Sequence, residues 1–372
     1  MAFDSPVTSY SDTTPQKRVI TDVISLIDPT AAVVVETLGG LDGASGKFRF
    51  TAKGTKYEWL EDTMPALADA LNGSITSTAT TITVDDASLF KPGHTILVDS
   101  EYMWVSAAAI ATEILTVTRN FGGTQATHAD NAVVSIVSEA RLEGADSDPL
   151  AFTDRTAPYN YTQIFHYEVE VTGTQQNVEQ YGINDEITYQ VNKGIPHEMR
   201  LINRTAYHGQ RKVGSETTPR AMGGFGTFIT NNTVSAGGAV TQADFQNALK
   251  AAWEDGGEGP WNAYMTSTNK QVIAAFYDNS AFLRVDRQEG TVGMVIDTIH
   301  TDWGDVNLIM DRHAVSDKIW IVDPKHAGFV TFRPFAWDPL AKTGDKDTSE
   351  VVGEFTFCVR NDKAHALISA IS

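Results

Sequence analysis

Hydrophobic and polar positions follow different periods along this chain, and the periods divide it. Between Asn184 and Gln210, apolar residues recur at Ile187, Val191, Ile195, Met199, Ile202 and Ala206. Steps of four, four, four, three and four keep one stripe on one helix face. Asn184 stands where a cap belongs, and Asp185 and Glu186 suit the positive end of the helix dipole. His208 and Gly209 suit the other end. Gly194-Ile195-Pro196 interrupts the run, because proline removes a donor and restricts the residue before it. The stripe keeps its phase across that point, so the spacing predicts one bent helix, a strut about 40 Å long at about 1.5 Å per residue.

Period two marks the strands. Lys47-Phe-Arg-Phe-Thr-Ala-Lys53 alternates basic with apolar, and Tyr57 and Trp59 continue the pattern. Far downstream, Phe165, Tyr167, Val169 and Val171 alternate with His166, Glu168 and Glu170. One polar face is basic and the other acidic, which favours pairing the two runs as a long two-stranded ribbon. Between them, from Asn72 to Glu139, short runs (TTITV, HTILV, YMWVS, ILTVT, AVVSIV) are separated by turn residues. Such spacing predicts a small β-barrel or sandwich, entered through Asn72-Gly73.

Outside these blocks, Met1–Gln16 is rich in Ser, Thr, Asp and Pro and reads as an extended arm. Lys17–Ile27 reads as a short amphipathic helix ended near Asp28-Pro29. After the strut, Val213–Gly238 is a turn-rich loop, and Thr241-Gln-Ala-Asp244 is a capping box for the next helix. Trp261–Met265 predicts a strand and Ser267–Tyr277 a helix. Gly293–His300 and Val306–His313 flank Asp302-Trp-Gly304 as a hairpin. Lys318–Val322, Phe329–Phe335 and Val351–Arg360 predict strands, and Ala364–Ile371 a closing helix. The fold class is α+β, with mixed and largely antiparallel pairing.

Composition narrows the function. Lys+Arg number 28 and Asp+Glu 47, a net charge of −19, so the bulk field repels a phosphate backbone. The single Cys358 excludes an intrachain disulfide, and its alternating run predicts a buried thiol. No apolar run reaches the roughly 20 residues of a membrane span, and the N-terminal residues lack a signal-peptide pattern. Candidate metal ligands reduce to His300-x-Asp302 and Asp311-x-His313, short of the three or four a site needs. Gly223-Gly-Phe-Gly226 lacks the lysine and spacing of a phosphate loop, and no hydrolase motif is present. No enzyme class, cofactor or metal is supported.

Val19-Ile-Thr-Asp-Val-Ile-Ser-Leu-Ile-Asp-Pro29, Glu58-Trp-Leu-Glu-Asp62, Asn160-Tyr-Thr-Gln-Ile-Phe165, Val169-Glu-Val-Thr-Gly-Thr174 and Thr301-Asp-Trp-Gly304 carry a resemblance. With the order of parts, they resemble the major capsid protein of tailed double-stranded-DNA bacteriophages. That family has the fold named after phage Hong Kong ninety-seven; the resemblance is to the branch with an insertion in the extended loop. Thr118-Arg-Asn-Phe-Gly-Gly-Thr124 is similar to a small β-domain of phage structural proteins.

The resemblance implies an N-terminal arm and short helix (1–40), an extended loop (41–71 and 140–175) and an inserted β-domain (72–139). It further implies a peripheral domain with the spine helix (176–212 and 336–372) and an axial domain (213–335). Such a chain self-assembles as hexamers and pentamers into an icosahedral shell around the phage genome. It is made in the host cytoplasm and located in the virion. Its partners are copies of itself, a scaffolding protein, a portal and a decoration protein; packaged DNA is touched only non-specifically, and no membrane is involved. Inter-subunit contacts are expected at Lys47, Arg49, Lys53, Lys56, Trp59, His166, Glu168 and Glu170. Lys53 or Lys56 would serve any covalent cross-link. The alternatives are a tail or receptor-binding protein and a nanocompartment shell of the same fold.

Overall fold

A computed structural model describes residues 32–41, 51–144, 153–179, 182–278 and 297–372. The arm, the helix at Lys17–Ile27 and the alternating residues 47–50 lie outside the described residues, as does the start of the 293–300 strand. The chain divides into two compact units: residues 60–157, and residues 1–59 together with 158–372.

The larger unit opens with helix α1 (Val33–Thr37) and strand β1 (Lys56–Glu58). Val34 and Val35 are buried in the main core with Ile202 and Ala206, so this stretch is packed structure.

The smaller unit holds β2 (Ala68–Ala70), β3 (Thr81–Thr83), β4 (His94–Val98), β5 (Glu101–Ala109), β6 (Ile114–Gly122) and β7 (Val133–Glu139). They form one antiparallel sheet in the order β2-β7-β4-β5-β6-β3. Period-two alternation turns Ile96, Val98, Met103, Val105, Leu115 and Val117 inward. Asp99-Ser100 makes the β4–β5 turn, with Asp99 in the left-handed region at φ 52°. Gly123 passes directly under that turn, where a methyl group would meet the Ser100 carbonyl. At this end Arg119 is buried against Glu101 in a two-pronged ion pair, both contacts 2.6 Å. The same guanidinium donates to the carbonyls of Thr76 and Ala126, tying two loops to the sheet.

The larger unit resumes with β8 (Tyr159–Tyr161), β9 (Gln163–Thr172), α2 (Gly173–Asn177), α3 (Glu186–His208), α4 (Phe225–Phe228), β10 (Thr233–Gly238) and α5 (Gln242–Glu254). There follow β11 (Trp261–Met265), α6 (Ser267–Asp278), β12 (Thr298–Thr301), β13 (Gly304–Met310), β14 (Ile319–Val322), β15 (Ala327–Pro339), β16 (Lys346–Val359) and β17 (Ala366–Ile371). A six-stranded sheet runs β10-β17-β14-β11-β13-β12, with β10/β17 and β11/β13 parallel. A three-stranded antiparallel sheet runs β15-β16-β9, and α3 packs over it.

Local signals held where they were local. The α5 capping box is complete: Thr241 Oγ1 accepts from the Asp244 amide, and Asp244 accepts from the Thr241 amide. Four expectations need correcting. Among the described residues, strand β9 does not pair with residues 51–59; it pairs with β16, and β1 pairs with β8. The opposite charges it needs come from β16, Lys346 against Glu170. The helix expected at Ala364–Ile371 is strand β17, held on both sides by β10 and β14. Asp185 and not Asn184 caps α3, accepting from the Ile187 amide at 3.1 Å. The helix is continuous across Pro196, yet its buried line runs Val191, Gly194, Glu198, Ile202 and Ala206, leaving Ile195 exposed.

Candidate inter-subunit surface

Helix α3 sits on β9 because its inner face is bare at one point. Gly194 lies against the Tyr167 ring, and Ile187 and Val191 pack beside it onto Val169, Val171 and Val351. Further along, Asn203 and Tyr207 donate to the buried Asp311 carboxylate at 2.7 and 3.0 Å. Asn203 also accepts from the Val34 amide at 2.8 Å, so one helix turn fastens α1 and the end of β13 together. Burial holds the Tyr207 hydroxyl well above its ordinary range and Tyr264 at about 12. A second buried carboxylate, Glu354 on β16, takes hydrogen bonds from Thr162, Arg220 and Arg333. Burial raises it, but those three groups win and hold it below the usual carboxylate range.

The expected contact residues scatter. Lys47 and Arg49 lie outside the described residues. Lys53 is exposed. Lys56 is exposed, pairs with Glu58, and stands 4.2 Å from the centre of the Tyr159 ring, as Arg211 also does. His166 meets Glu350 at 3.2 Å, Glu170 pairs with Lys346, and Glu168 is exposed. Trp59 is the exception: it is 5% exposed, packed with Ala52, Val330 and Cys358 and 5.5 Å from the Phe228 ring. It is a core residue of its own chain. Period-two alternation could not separate a core aromatic from a contact aromatic.

The metal candidates do not converge. His300 meets Asp305 across the β12–β13 hairpin at 2.7 Å, while Asp311 accepts from Asn203, Tyr207 and the His313 amide. Among the described residues, no three His, Cys, Asp or Glu side chains gather as a metal site. None of their helices is long and apolar enough to cross a membrane. The feature that sequence reasoning missed is a groove of about 650 Å³ between β9 and the second half of α3. Gln163–His166 line one wall, and Glu198, Leu201 and Thr205 the other. Glu198 is 2% exposed and carries no hydrogen bond or ion pair among the described residues. The expected stripe passes through Met199, one position away, so spacing alone gave no signal for Glu198.

The family model described as SU10 major capsid protein matches residues 7–372. The cyanophage A-1(L) capsid subunit is similar over 98% of this chain and 99% of its own, at 10% identity and a TM-score of 0.57. The capsid subunit of the native GTA particle is similar over 100% of both chains, at 10% identity and a TM-score of 0.54. No curated protein matches. The α+β capsid fold is therefore that of this chain, and a match of this length does not favour a tail or nanocompartment role. The chain belongs to the SU10 major capsid protein family, and its work is to build a virion shell from many copies of itself.

Proposed function

We propose that each copy closes the shell by lending two segments to its neighbours: the arm, Met1–Gln16, and the extended loop around Lys47–Lys53. The observation that carries this is strand β9. Its ten residues form the edge of a sheet with no strand on the outer side among the described residues. A long open edge recruits another chain unless it is covered. Contacts of this kind are heterologous and close into rings, so hexamers and pentamers share one interface at slightly different angles. Each contact can be weak, because repetition around rings supplies avidity.

The unit of residues 60–157 serves as an outward decoration or as a clamp between capsomers. The net charge of −19 keeps the inner wall from adhering to packaged DNA. A separate scaffolding protein, a portal and a decoration protein complete the assembly, which takes place in the host cytoplasm. Subunits are not covalently cross-linked. Deletion of residues 1–12 tests the arm. Soluble subunits that no longer form regular shells under the electron microscope are the expected outcome, and normal particles contradict it.

A further inference from the structure

Acids outnumber bases 47 to 28 in this chain, yet no acid lies between Glu198 and Glu216, a run that holds Arg200, Arg204, Arg211 and Lys212. The exposed side of α3 carries the same bias. Exposed Lys193, His197, Leu201, Arg204 and His208 follow one another at steps of four, four, three and four, which keeps them on one face. Arg211 and Lys212, also exposed, lie just past the helix end. From Lys193 to His208 the line is about 22 Å long at about 1.5 Å per residue. It contains no carboxylate. Glu198 beside it is buried, and Glu350 is held by His166 of β9.

Two structural reasons for cations on a helix fall short here. The negative end of the helix dipole favours them within the last turn, which accounts for His208 and not for Lys193 or Arg204. A merely solvated face mixes signs, as α5 does where Lys250 meets Glu254. Other exposed lysines of this chain find carboxylates: Lys56 with Glu58, Lys342 with Asp347 and Lys346 with Glu170. Among the described residues, Lys193, Arg204 and Lys212 meet none. Arg211 is held in place by donating to the Tyr159 carbonyl at 2.8 Å.

We infer that this line binds the phosphate backbone of the enclosed nucleic acid, and that this face of α3 therefore lines the inside of the shell. A helix spends its backbone groups internally and offers a partner only side chains. A straight row of point cations suits a polymer of uniform negative charge, whose phosphates take counter-charges without any sequence fit. Leu201 is the one apolar member of the line, too little for the anchored core of a protein–protein contact. The rest of the surface, at a net charge of −19, repels the same polymer, so contact is confined to the line. Each contact is weak, and its repetition on every subunit holds the outer layer of the genome at fixed places. The inference goes beyond the loop exchange proposed above and does not depend on it.

The test uses the intact chain as soluble subunits. Binding to a fluorescent DNA duplex is followed by anisotropy from about 0.1 M salt upward, where a Debye length of about 10 Å or less screens the distant acids. The variant Lys193→Gln/Arg204→Gln/Lys212→Gln removes three cations that have no carboxylate partner to lose. It should melt with the original and form the same shells, but bind DNA at least tenfold more weakly. Its plot of log affinity against log salt should be shallower by about 2.7, at about 0.9 per phosphate contact. Lys250→Gln, on α5, should change neither. In genome-filled particles treated with formaldehyde, nucleotide adducts should appear on Lys193 and Lys212 and not on Lys250. Equal DNA binding by the triple variant and the original overturns the inference, as does an original chain that binds polyglutamate but not DNA. Adducts missing from both lysines overturn it too. Loss of shells in the triple variant also overturns it, because the line is then a contact between subunits.

Discussion

Gly194 on helix α3 rests against the aromatic ring of Tyr167 on strand β9, with no room between them for a methyl group. The helix approaches the sheet because this position has no side chain. A glycine inside a helix costs about 0.5–1 kcal/mol relative to alanine, so on propensity alone Gly194→Ala should stabilise. The packing reverses that sign. Gly194→Ala should destabilise the larger unit by about 1–3 kcal/mol, through overpacking, in denaturant titrations of the soluble subunit. Adding a smaller residue at Tyr167 should recover part of the loss.

Trp59 and Lys53 separate a core role from a contact role. Trp59 fills a cluster with Ala52, Val330 and Cys358. Trp59→Ala should cost about 3–5 kcal/mol of subunit stability, whatever the state of assembly. Lys53 is exposed, and Lys53→Ala should change stability by less than about 0.5 kcal/mol. Paired thermal melts check both.

The Arg119–Glu101 pair makes a different demand on the smaller unit. Arg119→Met leaves a carboxylate buried without its cation and should destabilise that unit by about 3–5 kcal/mol. Replacing both residues by apolar ones should cost less than the single change. Hydrogen exchange at the β5 and β6 amides reads the effect in the intact chain.

Acid should affect the two units in different windows. In the larger one, burial lowers the His365 pKa from 6.5 to about 4, and its Nδ1 accepts from the Asp323 amide at 3.0 Å. The folded state therefore prefers the neutral ring: this contribution is full above pH 6.5 and is lost as pH falls from 6.5 toward 4. In the smaller unit, burial pushes Glu101 up, but Arg119, the Ala126 amide and His128 bring it from 4.5 down to about 2. That contribution is full above pH 4.5 and is lost between 4.5 and 2. Denaturant midpoints measured against pH should show the larger unit weakening first, and His365→Gln should flatten its slope between 6.5 and 4.

What the sequence revealed, and what it hid, follows the range of the interactions involved. The capping box of α5, strand β11 and the β12–β13 hairpin depend on residues a few positions apart, and each was legible. The partner of β9 was not. Alternation shows that a strand has a wet face, but any strand of complementary charge satisfies it, and Lys346 on β16 did so from 176 positions away. The same limit hid the groove. A 3.6-residue stripe identifies a helix face only approximately, so Ile195 looked inward while Gly194 and Glu198 took the buried positions. Strand β17 was hidden because a short apolar run fits helix or strand equally until its neighbours are known.

Negative-stain electron microscopy of the purified chain bears most directly on the central claim. Closed icosahedral shells or their hexameric and pentameric pieces are the predicted result. A compact monomer that persists at high concentration and forms neither contradicts the account.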